Sequence, residues 1–416
     1  MNGETTYLTD LAEVLWPCGG LLGRGTDTTP PRRDPVPPPR DAEVREYLPV
    51  PSAHNPRVIL PVTNRYAAAR GISAFAQRHS FSERVRTALL ATAFSSGLAP
   101  LLLRDRLHVG SGRTIEHALA TALDRDVVIA IHIGPPRANR KPVLLLLTPA
   151  GRTIGYAKIG VNDLTSRLVR AETDALRRLA EARLRDITVP RLIHAGEWNG
   201  HPLLVQEALP VGDQTDRPTR RQLLRCVLQI CDLETVREIR LFASPYHRTL
   251  ANRIAALGDR PEAHALREAF DQLPDVTLPF GAWHGDLTRW NVASTPRRAF
   301  VWDWERLAFD APLGFDALHY ELNECVQAGT HQGVQRWVDS GARLLRDPLI
   351  TGAGLRPEAV STVMALYLID LATRYLHDRQ LEAGGRLAAV DDWLLPVLSG
   401  LGERAVQEAL EARRVG

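Results

Sequence analysis

Trp283-His284-Gly285-Asp286-Leu287-Thr288-Arg289-Trp290-Asn291, with Trp302-Asp303-Trp304-Glu305 shortly after it, is the most informative stretch of the chain. Asp286 and Asn291 stand five residues apart, and Asp303 lies twelve beyond Asn291 at the end of an apolar run. One carboxylate to align a hydroxyl and two oxygen donors for a hard cation can be drawn from these three side chains. Asn291 and Asp303 suit Mg²⁺, which keeps several waters and takes few protein ligands beside phosphate oxygens. Phosphoryl transfer calls for such parts, because the protein's task there is to position reactants and neutralise charge. The ordinary alternative for Asp286 is a turn residue after glycine. His284, just before the turn, is read as a holder of backbone groups rather than an acid–base residue.

Upstream, the pattern switches to strands at Asp126. Runs over 126–133, 143–147 and 153–161 are aliphatic or β-branched and separated by turn residues, which predicts an antiparallel meander. A helix over about 165–184 follows, with Asp163, Thr165 and Ser166 as N-cap candidates, then strands over 191–195 and 203–207 around Asn199-Gly200. After Pro210 the pattern is mostly helical. The expectation is an α+β, bilobal chain: a small five-stranded antiparallel N-lobe with one helix over 126–208, and a larger, mostly helical C-lobe over 209–416.

Lys141 and Lys158 are the only lysines among 51 basic residues, so each stands where arginine did not serve. Lys158 falls in the third predicted strand and is read as a cation for nucleotide phosphates, against the plain alternative of a solvated strand lysine. Leu168, Glu172, Leu176 and Leu179 share one helical stripe, so Glu172 faces a core. A carboxylate there needs a nearby cation. Lys158 is the expected partner, and Glu181 is a weaker alternative carboxylate.

The His-Gly-Asp-x-x-x-x-Asn stretch followed by Asp-Trp-Glu resembles the aminoglycoside phosphotransferase and choline kinase-like superfamily, which has the protein-kinase-like fold. The resemblance spans roughly residues 126–380. It implies that Asp286 is the catalytic aspartate, that Asn291 and Asp303 are metal ligands, and that Lys158 and Glu172 form the lysine–glutamate pair. It also implies that Glu207, Ala208 and Leu209 belong to the hinge that receives adenine. Two departures stand out. No G-x-G-x-x-G loop is present, so the phosphate-covering place falls to 134–141, with Arg137, Arg140 and Lys141. An extension of about 100 residues also precedes the first matched strand.

Composition limits the other possibilities. Hydrophobic residues at 44% and charged ones at 24% describe a globular protein, and the net charge of +3 gives no reason to expect nucleic acid or a membrane as partner. Cys18, Cys226, Cys231 and Cys325 have neither metal-ligand spacing nor a disulfide framework, and Cys226 and Cys231 read as core thiols. The N-terminus lacks a basic n-region, and no apolar run is long enough to cross a bilayer, so a cytoplasmic location is expected. Residues 1–22 read as a short N-terminal segment. Residues 23–56 read as a Pro-rich, disordered linker that could recruit a protein partner. Residues 57–125 read as a mostly helical extension. The function expected is an ATP-dependent small-molecule kinase acting on a hydroxyl acceptor, with Mg²⁺, and with GTP as an open alternative donor. The alternative is a non-catalytic nucleotide-binding pseudokinase or scaffold.

Overall fold

The computed structural model describes residues 3–17, 20–24, 45–75, 81–97, 103, 105–110, 112–212, 215–326, 330–383 and 390–415. The chain divides into two compact units. The first takes residues 1–135, 139–170 and 191–208, and the second takes 136–138, 171–190 and 209–416.

In chain order come α1 (Gly3–Leu15), β1 (Gly20–Arg24), β2 (Arg45–Val50), β3 (Val58–Pro61), α2 (Arg65–Phe75) and α3 (Phe81–Ser95). Next are β4 (Asp105–Val109), α4 (Ile115–Leu123), β5 (Val128–Ile133), β6 (Pro142–Leu147) and β7 (Thr153–Ile159). Helix α5 (Asp163–Glu181) has its first turns in the first unit and the rest in the second, which also holds β8 (Ile187–Thr188). Strands β9 (Leu192–Trp198) and β10 (His201–Glu207) return to the first. The start of α5 is fixed by Asn162 together with the predicted Thr165: Asn162 Oδ1 accepts the Thr165 N–H at 2.9 Å, and Thr165 Oγ1 accepts the Asn162 N–H at 3.0 Å in return.

The first unit is built on one nine-stranded sheet in the order β1-β4-β2-β3-β5-β6-β7-β10-β9, every neighbouring pair antiparallel. The expected five-stranded lobe is therefore too small. Strands β3 and β4 of 57–125, with β1 and β2 from before it, continue the sheet, so 57–125 is not a separate helical region. The linker also ends earlier than expected. Arg45–Val50 is a strand with Tyr47 and Leu48 buried, whereas 25–44, most of the Pro-rich arm and its possible docking role, lie outside the described residues. The prolines misled because Pro49 and Pro61 sit inside strands, where each gives up one ladder donor without ending the pairing.

Side-chain alternation explains why the sheet is apolar on both faces. Ile129, Ile131, Leu144 and Leu146 join one core with Leu8, Leu11 and Leu15 of α1 and Leu119 of α4. Ala130, Leu145 and Leu147 point the other way and pack with Ala67, Ala68 and Ile72 of α2 and Phe94 of α3. Helix α2 comes so close that a Cβ on Gly71 would lie 2.7 Å from Ala130 Cβ. Glu116, in the first turn of α4, is buried beneath this layer. It accepts hydrogen bonds from Trp16 Nε1 at 2.9 Å and from the Tyr47 hydroxyl, with Arg45 at 4.0 Å.

The second unit continues with α6 (Arg220–Cys231), β11 (Arg237–Arg240), α7 (Pro245–Ala255), α8 (Pro261–Asp271) and β12 (Thr277–Trp283). Then come β13 (Val292–Ser294), β14 (Ala299–Val301), β15 (Ala308–Pro312), α9 (Phe315–Val326), α10 (Thr330–Leu345), α11 (Pro348–Gly352), α12 (Val360–His377) and α13 (Val390–Val415). Its strands form two small sheets, β11-β12-β15 and β13-β14-β8. Cys226 and Cys231 are core thiols as expected, burial pushing each up to about 12. Contrary to the sequence reading, one stretch, Pro357–His377, is long and apolar enough to cross a membrane by length and composition, and 83% of its most apolar window is buried inside the chain.

Replacing Glu116 by Ala should destabilise the first unit, since two buried donors lose their acceptor at about 1–3 kcal/mol each. Urea unfolding followed by Trp16 fluorescence would measure it, and an unchanged midpoint would show that Glu116 is dispensable.

Candidate active site

The two motifs meet because of a hairpin. Strand β12 ends at Trp283, and the turn 284–291 leads into β13, which pairs with β14 through Val292↔Val301 and Ser294↔Ala299. The spacing between Asn291 and Asp303 is the length of that hairpin, and its open end puts the two motifs side by side: Trp302 N–H donates to Asn291 O at 3.1 Å. Strand β15 then runs back along β12, and α9 starts beneath the turn.

Three side chains hold the turn. Asp316, in the first turn of α9, accepts the N–H groups of His284 at 2.7 Å and Gly285 at 3.1 Å. It is therefore an anchor for the loop rather than the turn or helix cap its position suggests. Arg374 of α12 donates to Gly285 O at 2.5 Å. Gly285 has φ +81, and a Cβ on it would collide with the Arg306 carbonyl, so the chain needs glycine here. His284 is fully buried. Its Nδ1 accepts the Asp286 N–H at 3.2 Å, and its Nε2 meets Trp302 O at 3.0 Å, which fixes the proton on Nε2. Burial lowers its pKa to about 4 against the opposing charges of Asp286 and Asp303, so the ring is a neutral brace between the motifs.

Asp286 is the one carboxylate of the turn, with 35% of its side chain exposed. Its Oδ1 faces His319 Nε2 at 3.1 Å, and its Oδ2 accepts from Asn291 Nδ2 at 3.1 Å. Burial pushes its pKa up, but the hydrogen bond from His319 and the charge of Arg374 outweigh this and hold it below the usual carboxylate value. The group is thus ionised and fixed in rotation. His319 stands three residues after Asp316, on the same face of α9, and its Nδ1 lies 2.9 Å from the Tyr367 hydroxyl of α12. Motif reading missed His319 and Arg374. The i, i+3 repeat of Asp316 and His319 directly after the second motif was the available signal.

Asp303 adopts φ +70, a left-handed conformation that costs a non-glycine residue and must be held by its surroundings. Its carboxylate lies with those of Glu172 and Glu305, the ligating oxygens all within 4.8 Å of one another. Glu305 was not singled out in the sequence. Hard oxygen donors this close suit a divalent cation such as Mg²⁺. Asn291, the other expected ligand, turns its Nδ2 to Asp286, which leaves its Oδ1 as the oxygen donor.

The remaining expected residues fall as follows. Lys158 is buried in β7, between Val143 and Leu204 of the flanking strands, so the solvated-lysine alternative is excluded. Glu172 is fully buried in the stripe with Leu168, Leu176 and Leu179, whereas Glu181 is exposed. Glu207 ends β10 with an exposed side chain, Ala208 closes the first unit, and Leu209 opens the second. In the loop 134–141, Arg140 stacks on the Tyr7 ring at 3.9 Å and Lys141 is buried. Arg289 does not face solvent: it stacks on Trp290 at 4.2 Å and lies 3.7 Å from Glu324, which Arg217 also approaches at 3.1 Å.

Residues 158–345 match the model of the phosphotransferase enzyme family, APH. This segment is similar to that family. The matched segment contains Lys158, Glu172, Asp286, Asn291 and Asp303, and ends within α10. No protein of curated function matches the chain. Among solved structures, aminoglycoside phosphotransferase APH(4)-Ia in ternary complex with ADP and hygromycin B is 13% identical over 70% of this chain and 98% of its own, TM-score 0.44. A choline/ethanolamine kinase family protein from Mesorhizobium loti is 14% identical over 70% and 94%, TM-score 0.40. Spectinomycin phosphotransferase APH(9)-Ia in complex with ADP and spectinomycin is 11% identical over 71% and 97%, TM-score 0.39.

The neutral brace makes stability depend on pH. Between about 6.5 and 4 an unfolded His284 takes up a proton that the folded ring refuses, so stability falls as pH falls through that window. His132 on β5, also lowered to about 4 by burial, adds to the same slope. Each is worth roughly 3 kcal/mol over the full window. Asp316, whose carboxyl burial pushes up to about 7, pulls the other way over the same range, so the test is a difference: thermal unfolding from pH 7 to pH 4 should lose more stability in the wild-type chain than in His284→Gln, which can donate and accept like the ring.

Proposed function

We propose that this protein is an ATP-dependent small-molecule kinase that transfers the γ-phosphoryl group to a hydroxyl acceptor. The observation that carries the reading is the state of Asp286: ionised, partly open, and held at both oxygens inside a segment similar to the phosphotransferase family. In the reaction, the acceptor O–H bond breaks and its proton passes to the Asp286 carboxylate. The acceptor oxygen bonds the γ-phosphorus, and the bond to the β-phosphate oxygen breaks to release ADP. Asp286 acts chiefly by aligning the hydroxyl, since positioning supplies much of the rate in such transfers.

Asp303 and Asn291 are assigned to Mg²⁺, which when bound supplies positive charge to the phosphate oxygens. The closeness of Glu172 and Glu305 to Asp303 supports a cation there. Lys158 is assigned to the α- and β-phosphates and to pairing with Glu172, and Glu207, Ala208 and Leu209 to the adenine. These roles rest on the resemblance of their positions and, for Lys158, on the burial of a scarce lysine. The same site accommodates GTP as donor in this reading.

A polycationic acceptor has little support. Of the acidic residues on α9 after the second motif, Glu324 is flanked by two arginines, and Glu321 lies 3.7 Å from the Cys325 thiol. The acceptor proposed is therefore a small molecule carrying a hydroxyl, its class to be found by screening sugars, aminoglycosides, macrolides, amino alcohols and nucleosides for ATP consumption.

With an acceptor in hand, Asp286→Ala should retain Mg-ATP binding and lose turnover by about 10²-fold or more, as expected for loss of a positioned general base. Asp303→Ala should weaken Mg-ATP binding itself, read as a smaller thermal shift on adding the nucleotide. Wild-type ATP consumption by the Asp286 variant would sink the assignment.

A further inference from the structure

We infer that His319 is a positioning residue for Asp286, held by Tyr367 as the neutral tautomer that carries its proton on Nε2. The inference rests on the kinase reading above and concerns a side chain outside both sequence motifs. His319 and Tyr367 are buried, so their hydrogen bonds have no water to compete with them.

The tautomer follows from the partners. An ionised carboxylate can only accept, so the nitrogen at 3.1 Å from Asp286 Oδ1 must carry a proton. Burial disfavours the doubly protonated ring, although Asp286 opposes this by hydrogen bond and charge. The ring is then neutral, and Nδ1 is left as an acceptor at 2.9 Å from the Tyr367 hydroxyl. That hydroxyl keeps its proton, since burial raises its pKa well above the ordinary value. The chain of donation runs from Tyr367 to His319 to Asp286, and each step selects the next. Asp286 and Tyr367 select the same form from opposite sides: the form with its proton on Nδ1 would present a lone pair to the carboxylate and leave Nδ1 unable to accept from Tyr367.

The consequence for the reaction is one of geometry. Asn291 holds Oδ2 and His319 holds Oδ1, so the carboxylate plane is fixed from two sides. If Asn291 also serves a cation, His319 is the holder with no second duty. His319 keeps its proton throughout, and the acceptor's proton goes to Asp286. A core histidine that merely fills space would be replaceable by any side chain of similar volume. A positioning histidine is replaceable only by one that donates from the same place, and glutamine reaches the Nε2 position.

The test compares His319→Leu, His319→Gln, Tyr367→Phe and Asp286→Ala with the wild-type chain, using ATP consumption with an acceptor found by screening. His319→Leu should lower kcat about tenfold to a hundredfold, while the KM for ATP and the thermal shift with Mg-ATP stay near the wild-type values. His319→Gln should recover most of the lost kcat, and Tyr367→Phe should fall between. A His319→Leu protein with wild-type kcat, or a Gln variant as slow as the Leu variant though equally folded, overturns the inference and leaves the kinase reading standing. Long-range ¹H–¹⁵N spectra of histidine-labelled protein give an independent arm. The neutral Nε2–H form should be seen in the wild type and should be less dominant in Tyr367→Phe. A charged ring or the Nδ1–H form in the wild type overturns the inference whatever the activity. Wild-type protein that turns over no acceptor overturns the kinase reading and the catalytic half of this inference together.

Discussion

The turn that carries Asp286 and Asn291 cannot support itself, because its amides have no strand partner to pair with. Asp316 solves this by accepting two consecutive N–H groups, from His284 and Gly285, at the start of α9. Backbone groups in a buried turn must be paired or they cost as much as a lost hydrogen bond. Here a single carboxylate meets both. The left-handed Gly285 is what lets those two amides point at one acceptor while its carbonyl turns to Arg374. Everything that gives Asp286 its orientation is downstream of this contact.

The same helices then connect the scaffold to Asp286. Asp316 and His319 lie one turn apart on α9, so the helix that anchors the turn also presents the donor to Asp286. Tyr367 and Arg374 lie two turns apart on α12, so one helix face reaches both His319 and the Gly285 carbonyl. Asp370, between them, meets Tyr246 and Arg253 at 3.1 Å and fixes the register of α12 against α7. This polar file explains why a helix apolar enough to span a bilayer is instead the buried centre of the second unit. Its composition is that of a membrane segment, but its polar residues are placed for partners within the chain.

Much of the site could be read from the sequence because its residues are local. Asp286, Asn291 and Asp303 are joined by one hairpin, and hairpin spacing is visible in the order of residues. Lys158 and Glu172 were legible for a different reason: burial of charged side chains in otherwise apolar patterns is rare, and both patterns were regular. What escaped was non-local. His319 and Arg374 reach the turn from 33 and 89 positions away in the chain; the spacing to Asp316 is the one local hint of His319, and nothing local marks Arg374. Glu305 escaped because it was read as part of a motif with one ligand rather than as a neighbour of Glu172.

The extension failed to be legible for the opposite reason. Its strands are short and proline-bearing, so local pattern argues against them, and only long-range pairing makes them strands. Arg45–Val50 pairs with Val58–Pro61 on one side and with β4 on the other, and both pairings bury side chains that the local composition would leave in a linker. A sheet apolar on both faces needs helices on both, and the extension supplies all four that pack there: α1 and α4 on one face, α2 and α3 on the other. The five expected strands alone would leave one or both faces open to water. The extension is therefore part of the unit that holds Lys158, and its burial of those faces is a requirement of the sheet rather than an appendage to it.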